Sequence, residues 1–525
     1  MGIYLNPGNL SFQSAVNSKI YVDKTGLLSY TNAVIDTEQR DICVSRPRRF
    51  GKSMTVGMLA AYYGKNCDSG KLFCGKEITK TKDYEKHLNQ YDVIQMDIAE
   101  INRRGDDTDA LLKCLNVEII AELKESYPNV LNDDERDLPH ALAEIQKKTG
   151  TSFVVIIDEW DTLFRERKYD TAGQKKYIQF LRGLFKGEAS KKFVKLAYIT
   201  GILPIKKYGT ESALNNFYEF TMANPRNLTE YVGFTEKEVW ELCKEQHMDF
   251  EEMERWYDGY SFRKIKHIYN PNSVVQAIIT QDYDNYWSQT ETYESLKEYI
   301  SLNFDGLKDA VIQMLAGERC KVNIDSFGND LTSLHCRDDV LTLLIHLGYL
   351  AYDRDSREAY IPNTEVRSAF SNAVWKSDWK PVIEAIRASD GLLNATWRMD
   401  ADAVARGIEE VHQANSSILA YNNENTLSCV ITIAYYNAVN DYTLVREMPA
   451  GKGYADIVFL PKKFSDKPAM IVELKCGKSA AGAVAQIKDR QYTKVVEDYH
   501  EILIVGVNYD PDTKEHSCII EEWKK

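Results

Sequence analysis

The sequence predicts an α/β protein: a parallel-sheet domain, a helical middle, and a second, smaller α/β domain toward the C-terminus. Three observations carry this. Short apolar runs alternate with helical stretches from residue 42 to residue 201, the alternation that builds a parallel sheet covered by helices on both faces. One of those runs, Ile42-Cys43-Val44, leads into Arg49-Phe50-Gly51-Lys52-Ser53 and then into an apolar helix. Beyond Asp441 a new set of short strands carries Asp456, Glu473 and Lys475.

The stretch from Cys43 to Tyr62 is the centre of the first domain. A strand, a loop and a helix opening on Gly-Lys-Ser form the arrangement that cradles phosphates. Backbone N–H groups and the helix N-terminus face the anion, Lys52 reaches the terminal phosphates, and the Ser53 hydroxyl can ligate magnesium. Arg48, Arg49, Phe50 and Gly51 complete the nucleotide-binding stretch. One position departs from the GxxxxGK[ST] pattern: Arg46 stands where the first glycine would, and it must avoid the positive backbone angles that glycine accepts.

Further strands are expected at Asp92–Asp97, Phe153–Ile157 and Lys195–Gly201, with helices around 107–126 and 133–148. The Phe153 run ends in Asp158-Glu159. Strand ends point toward the ligand crevice in such sheets, so Asp158 is expected to hold magnesium together with Ser53. Glu159 would orient and deprotonate an attacking water. Thr200, ending the next strand, stands where a sensor of the terminal phosphate would sit. Ahead of the loop, Tyr21–Thr25 reads as an extended start to a short helix.

A chain of 525 residues exceeds one core; the expected domains are 1–232, 233–390 and 391–525. Hydrophobic content of 44% and charged content of 27% suit a soluble globular protein. No apolar run is long enough to span a membrane, and the N-terminus lacks the basic and apolar regions of a secretory leader. Ten cysteines stand singly with no CxxC pair, which fits reduced thiols and a cytoplasmic location. The net charge of −13 argues against a surface coated all over by nucleic acid, but not against a local basic groove.

In the middle region, Thr235 to Glu238 is a capping box opening a helical lid. Trp256–Phe262 and Tyr269-Asn270-Pro271 read as a bend packed against the first domain. Val340–Tyr352, followed by 358–363, reads as a helix and small hairpin of winged-helix-like form. Its helices carry no basic cluster, so packing is expected there rather than contact with DNA.

The C-terminal pattern stands on its own chemistry. Strands are expected at Tyr442–Met448, Tyr454–Leu460, Met470–Lys475 and Glu501–Val507, with a helix over Lys478–Asp498. Side chains repeat every two residues, so Glu473 and Lys475 share a face, and pairing across the loop can bring Asp456 alongside. Asp456 and Glu473 would hold one or two magnesium ions for phosphodiester hydrolysis. Lys475 could orient the water or offset charge on the phosphate. Glu424 is a further candidate ligand, and Gln486 and Tyr492 could position the lysine or the nucleic-acid backbone.

The ordered series YVDKT (21–25), SRPRRFGKS (45–53), VVIIDEWD (154–161), ITGI (199–202), GFTEKEV (233–239), WYDGY (256–260), YNP (269–271) and IPNTEV (361–366) resembles bacterial AAA-ATPase-like proteins with a C-terminal PD-(D/E)XK nuclease-like domain. The resemblance spans nearly the whole chain. It implies an additional-strand (ASCE) P-loop core with Glu159 as its catalytic acid, and it makes Arg46 a family trait. The C-terminal residues resemble the PD-(D/E)XK series of a helix acid, an Asp, Glu-x-Lys and Gln-x5-Tyr, with Ala455 in place of the usual proline. The cofactors expected are ATP and magnesium. The partners expected are nucleic acid, DNA foremost, with a homo-oligomer allowed and no membrane; defence against foreign DNA is a setting such activities would serve. The rival reading is a nucleotide switch or ATP-driven remodeller whose nuclease-like domain binds a partner or DNA without cleaving.

Overall fold

The computed structural model describes residues 2–105, 107–205, 207–208, 211–212, 214–231, 233–287, 293–302, 304–325, 327–328, 334–375, 379–414, 424–462 and 465–524. They divide into two compact units, Met1–Thr292 with Lys321–Arg367, and Tyr293–Cys320 with Ser368–Lys525.

The first unit is built on five parallel strands: β1 (Asp41–Ser45), β2 (Asp92–Asp97), β3 (Phe153–Asp158), β4 (Val194–Gly201) and β5 (Tyr218–Phe220), in the order β2-β3-β4-β1-β5. β1 and β3 are buried along their whole length, as their unbroken apolar runs require of strands covered on both faces. β4 lies between the loop strand β1 and the acid strand β3. This is the additional strand expected of an ASCE core. The helices Thr108–Ser126 and Leu138–Thr149 each start on an aspartate, Asp107 and Asp137, whose side chain accepts from the first turn.

Tyr21–Thr25 leads into the short helix Leu27–Val34 without joining a sheet. Its polar side chains tie distant backbone instead: Asp23 accepts from the Glu77 N–H, Thr25 from the Ile78 N–H, and Lys24 pairs with Glu238 at 2.6 Å. Glu238 is itself half of the expected capping box with Thr235, and both of its hydrogen bonds are made. The bend at Trp256–Phe262 packs where the sequence placed it: the Tyr260 ring meets Phe50 of the phosphate loop edge-on at 5.4 Å. Helix Arg337–Leu347 is followed by the antiparallel hairpin β6 (Ala351–Asp353) and β7 (Glu358–Tyr360), the expected winged-helix-like element.

Glu365 is a buried fastener that sequence alone does not mark. Fully enclosed, it accepts from the Tyr286 and Trp287 N–H groups and the Ser273 hydroxyl, and burial lifts its pKa to about 7. Glu365→Ala strands three buried donors, so urea unfolding should show a loss of about 3 kcal/mol or more.

The second unit holds a mixed sheet of β8 (Tyr442–Ala450), β9 (Gly453–Pro461), β10 (Ala469–Cys476), β11 (Ile502–Tyr509) and β12 (His516–Glu522), in that order. β10 and β11 are parallel, joined through the helix Ala480–Asp489; the other neighbours run antiparallel. The helix expected over Lys478–Asp498 is interrupted. It stops at Asp489, Gln491 turns left-handed at φ 57°, and a short 3₁₀ turn covers Tyr492–Val496. β12 was not foreseen. Among the described residues, no helix is long and apolar enough to cross a membrane.

Candidate functional site

The phosphate loop leaves β1 at Ser45, whose hydroxyl donates to the Leu203 carbonyl. Arg46 turns into the body of the domain, 1% exposed, and donates to the carbonyls of Ser45 and Phe220. Burial lowers its pKa to about 10. The residue in the first glycine's place is therefore a strut behind the loop. The tight turning falls to Arg49 (φ 66°) and Gly51 (φ 79°); Gly51 is the N-cap of helix Lys52–Tyr63, which has no side-chain cap. Uncapped N–H groups at a helix start are available to an anion.

Lys52 is buried inside the loop, its ammonium donating to the Pro47 carbonyl at 2.9 Å and standing 3.7 Å from Glu159. Burial pulls its pKa below the ordinary lysine value, opposed by Glu159 and Asp158. Asp158, at the end of β3, is raised to about 6 by burial, while a hydrogen bond from the Ser53 hydroxyl works the other way. A buried carboxylate facing a hydroxyl, with its charge disfavoured, is a donor pair suited to magnesium. Glu159 sits at φ 51°, a left-handed conformation costing a glutamate about 1–2 kcal/mol. Its carboxylate lies between Lys52 and Arg165.

Arg165 also pairs with Asp161 at 3.0 Å, and Asp161, wholly buried, accepts from the Ile202 and Leu203 N–H groups at the end of β4. Sequence reading did not single out these two. Asp161 closes the VVIIDEWD stretch, and the spacing of four residues that pairs it with Arg165 is common on any helix. Thr200 is not part of the cluster: its hydroxyl donates to the Val44 carbonyl and ties β4 to β1. In front of the loop lies a cavity of about 920 Å³, lined by Arg48 through Thr55, Arg103, Glu159 and Arg165 on one side. Tyr21, Val22, Phe234, Val275 and Ile279 add aromatic and apolar lining.

In the second unit, β9 and β10 bring Asp456, Glu473 and Lys475 together. Asp456 accepts from the Leu474 N–H at 2.7 Å, so its carboxylate meets β10 between the other two residues. Glu473 is 1% exposed. One of its oxygens, Oε1, accepts from Lys475 at 2.8 Å and from the Gln486 amide; the other, Oε2, is buried with no hydrogen-bond partner among the described residues. Burial first, then repulsion from Asp456, raises its pKa to about 7. An orphaned buried oxygen beside a second carboxylate is a poor apolar core but a sound cation site. The residues fit magnesium. Gln486 also approaches the Tyr492 hydroxyl at 3.3 Å, so both helix-side residues join the cluster. Glu424 opens helix Glu424–Ala434, and its side chain lies outside the described residues.

The hairpin turn at Gly451 supports this arrangement from below. Its φ is 52°, and a Cβ there would lie 2.1 Å from the Arg490 carbonyl oxygen. Gly451→Ala should thus push the turn off the helix end that carries Gln486 and Tyr492. We expect a loss of about 2 kcal/mol or more in the second unit's unfolding transition, measured by calorimetry.

Residues 10–210 match the family model described as "Predicted AAA-ATPase", and residues 422–523 match that of the PD-(D/E)XK nuclease superfamily. A curated relative, an uncharacterized protein in the vnfD 5′ region of Azotobacter chroococcum, is 23% identical over 276 residues, 52% of this chain and 51% of the relative. The chain thus spans about half the length of that relative. Among solved structures, the ORC2 protein of Aeropyrum pernix aligns with 68% of this chain and 97% of its own, at 9% identity and a TM-score of 0.33.

Proposed function

We propose that this protein, which carries an AAA-ATPase-like domain and a PD-(D/E)XK nuclease-superfamily domain on one chain, binds and hydrolyses ATP and cleaves nucleic-acid phosphodiesters, DNA foremost. The observation that carries the nuclease half is the buried Glu473, half satisfied by Lys475 and Gln486 and half left open beside Asp456. Magnesium bound by Asp456 and Glu473 would supply Lewis-acid activation of a water and of the scissile phosphate. Lys475, fixed against Glu473, holds a positive charge where the phosphate gains negative charge. Gln486 keeps the Glu473 carboxylate turned so that Oε2 remains open.

For the ATPase half, Lys52 and the helix N-terminus bind the terminal phosphates, Ser53 and Asp158 hold the nucleotide's magnesium, and Glu159 takes the proton from water. ATP occupancy gates cleavage in this reading, a coupling that suits defence against foreign DNA. The test is cleavage of circular and linear DNA, and of RNA, with and without magnesium and ATP, alongside Asp456→Ala protein. Metal-dependent cutting lost in the variant supports the nuclease. ATP hydrolysis with no cutting of any substrate favours the switch or remodeller instead.

A further inference from the structure

Two cavities in the first unit, of about 560 and 330 Å³, meet around the β6–β7 hairpin and share Ala223, Asn224, Tyr352 and Arg354. Together they make one trough. One half is lined by Arg226, Arg263, Lys264 and Arg354, the other by Lys321, Arg337, Arg357 and the same Arg354. The acids lining it are Asp325 and Asp338. The chain's net charge is −13, so this concentration of cations runs against the overall balance. The contributing residues come from five separate stretches, around Arg226, Arg263, Lys321, Arg337 and Arg354, which is why no basic cluster is visible along any one helix.

All of these cations except the half-buried Arg337 are exposed. Arg354 donates to Asn224 Oδ1 at 2.8 Å, fixing the hairpin turn over the trough. Arg263 pairs with Asp355, Lys321 with Glu358 and Arg337 with Asp338, at 3.3, 3.7 and 2.9 Å. Surface pairs of this kind are worth about 1 kcal/mol or less, so a polyanion can displace them. The buried rings of Phe262 and Tyr352 also line the trough. An elongated concave surface with cations along both halves matches a chain of successive phosphates better than one compact anion.

We propose that this trough binds the phosphodiester backbone of a nucleic acid. The proposal rests on the nuclease reading and names the surface that holds its substrate. Its contacts are electrostatic and indifferent to base sequence.

The test is binding of a short fluorescein-labelled DNA duplex and its single strand by the full chain, followed by anisotropy in EDTA so that nothing is cut. Wild-type affinity should fall steeply with salt. Lys264→Glu/Arg357→Glu should weaken binding by about tenfold or more at low salt and make the log–log salt slope shallower by about 2. Lys82→Glu/Lys86→Glu, an equal charge change at exposed lysines elsewhere in the unit, should leave both near wild type. An unchanged slope in the trough variant, with wild-type binding and cleavage intact, would overturn the trough and spare the nuclease. Equal losses in both variants would reduce the effect to net charge and overturn it too. Wild-type protein that binds neither the duplex nor its single strand at low salt would refute the proposal.

Discussion

Glu473→Gln protein is expected to fold and to lose magnesium-dependent cleavage by about 10³-fold or more, equivalent to roughly 4 kcal/mol of transition-state stabilisation. The substitution preserves volume and leaves Lys475 an oxygen acceptor. It removes the negative charge and replaces one carboxylate oxygen with an amide. Its stability effect has the opposite sign to its activity effect. The folded-state pKa of Glu473, about 7, lies above its ordinary 4.5. The folded state therefore binds more protons than the unfolded state between these values. In EDTA, this group lowers wild-type stability as pH rises from about 4.5 to about 7, with the full loss present above that. The difference between wild type and Glu473→Gln in urea unfolding should grow in the variant's favour across that window. A pH-independent difference would show that the carboxylate is not under strain.

Lys52→Ala should abolish ATP hydrolysis, by about 10²-fold or more, and weaken nucleotide binding as well. The ammonium is buried, held by the Pro47 carbonyl and placed 3.7 Å from Glu159. Of the cations around it, Arg46 points away, Arg165 is engaged by Glu159 and Asp161, and Arg48 and Arg49 on the same loop are exposed rather than buried. Glu159→Gln separates the two roles: a fluorescent nucleotide should still bind while phosphate release falls to the level of Lys52→Ala. If that variant hydrolyses at the wild-type rate, Glu159 is not the base. Under the gating reading, both variants should also alter the response of DNA cleavage to ATP.

The residues legible in the sequence are those whose partners lie close along the chain or one strand away. Gly51-Lys52-Ser53 and Asp158-Glu159 each declare themselves at the end of an apolar run. Two-residue periodicity is enough to put Glu473 and Lys475 on one face. Long-range placement is another matter. Arg46 reads as a defect in a glycine pattern until the Phe220 carbonyl appears behind it. Asp161 and Glu365 draw their meaning from backbone groups at distant positions, and Arg165 from the Glu159 and Asp161 side chains it joins, so charge and spacing alone do not distinguish them from surface groups. Thr200 shows the reverse: its position at a strand end suggests a sensor, yet the neighbouring carbonyl of Val44 takes its hydroxyl. The break at Gln491 was hidden because Lys478–Asp498 keeps a helical composition throughout. Just past the helix end, the Arg490 carbonyl accepts from the Lys452 N–H of the β8–β9 turn, a partner distant in sequence.

The central claim is that Asp456 and Glu473 form a metal centre. Titration of Mn²⁺ into nucleotide-free protein, with free ion followed by electron paramagnetic resonance, tests it most directly. Wild-type protein should bind the ion, and Asp456→Asn and Glu473→Gln should each lose that binding while keeping a cooperative unfolding transition. Binding of the same number of ions at the same affinity by all three proteins would contradict the account.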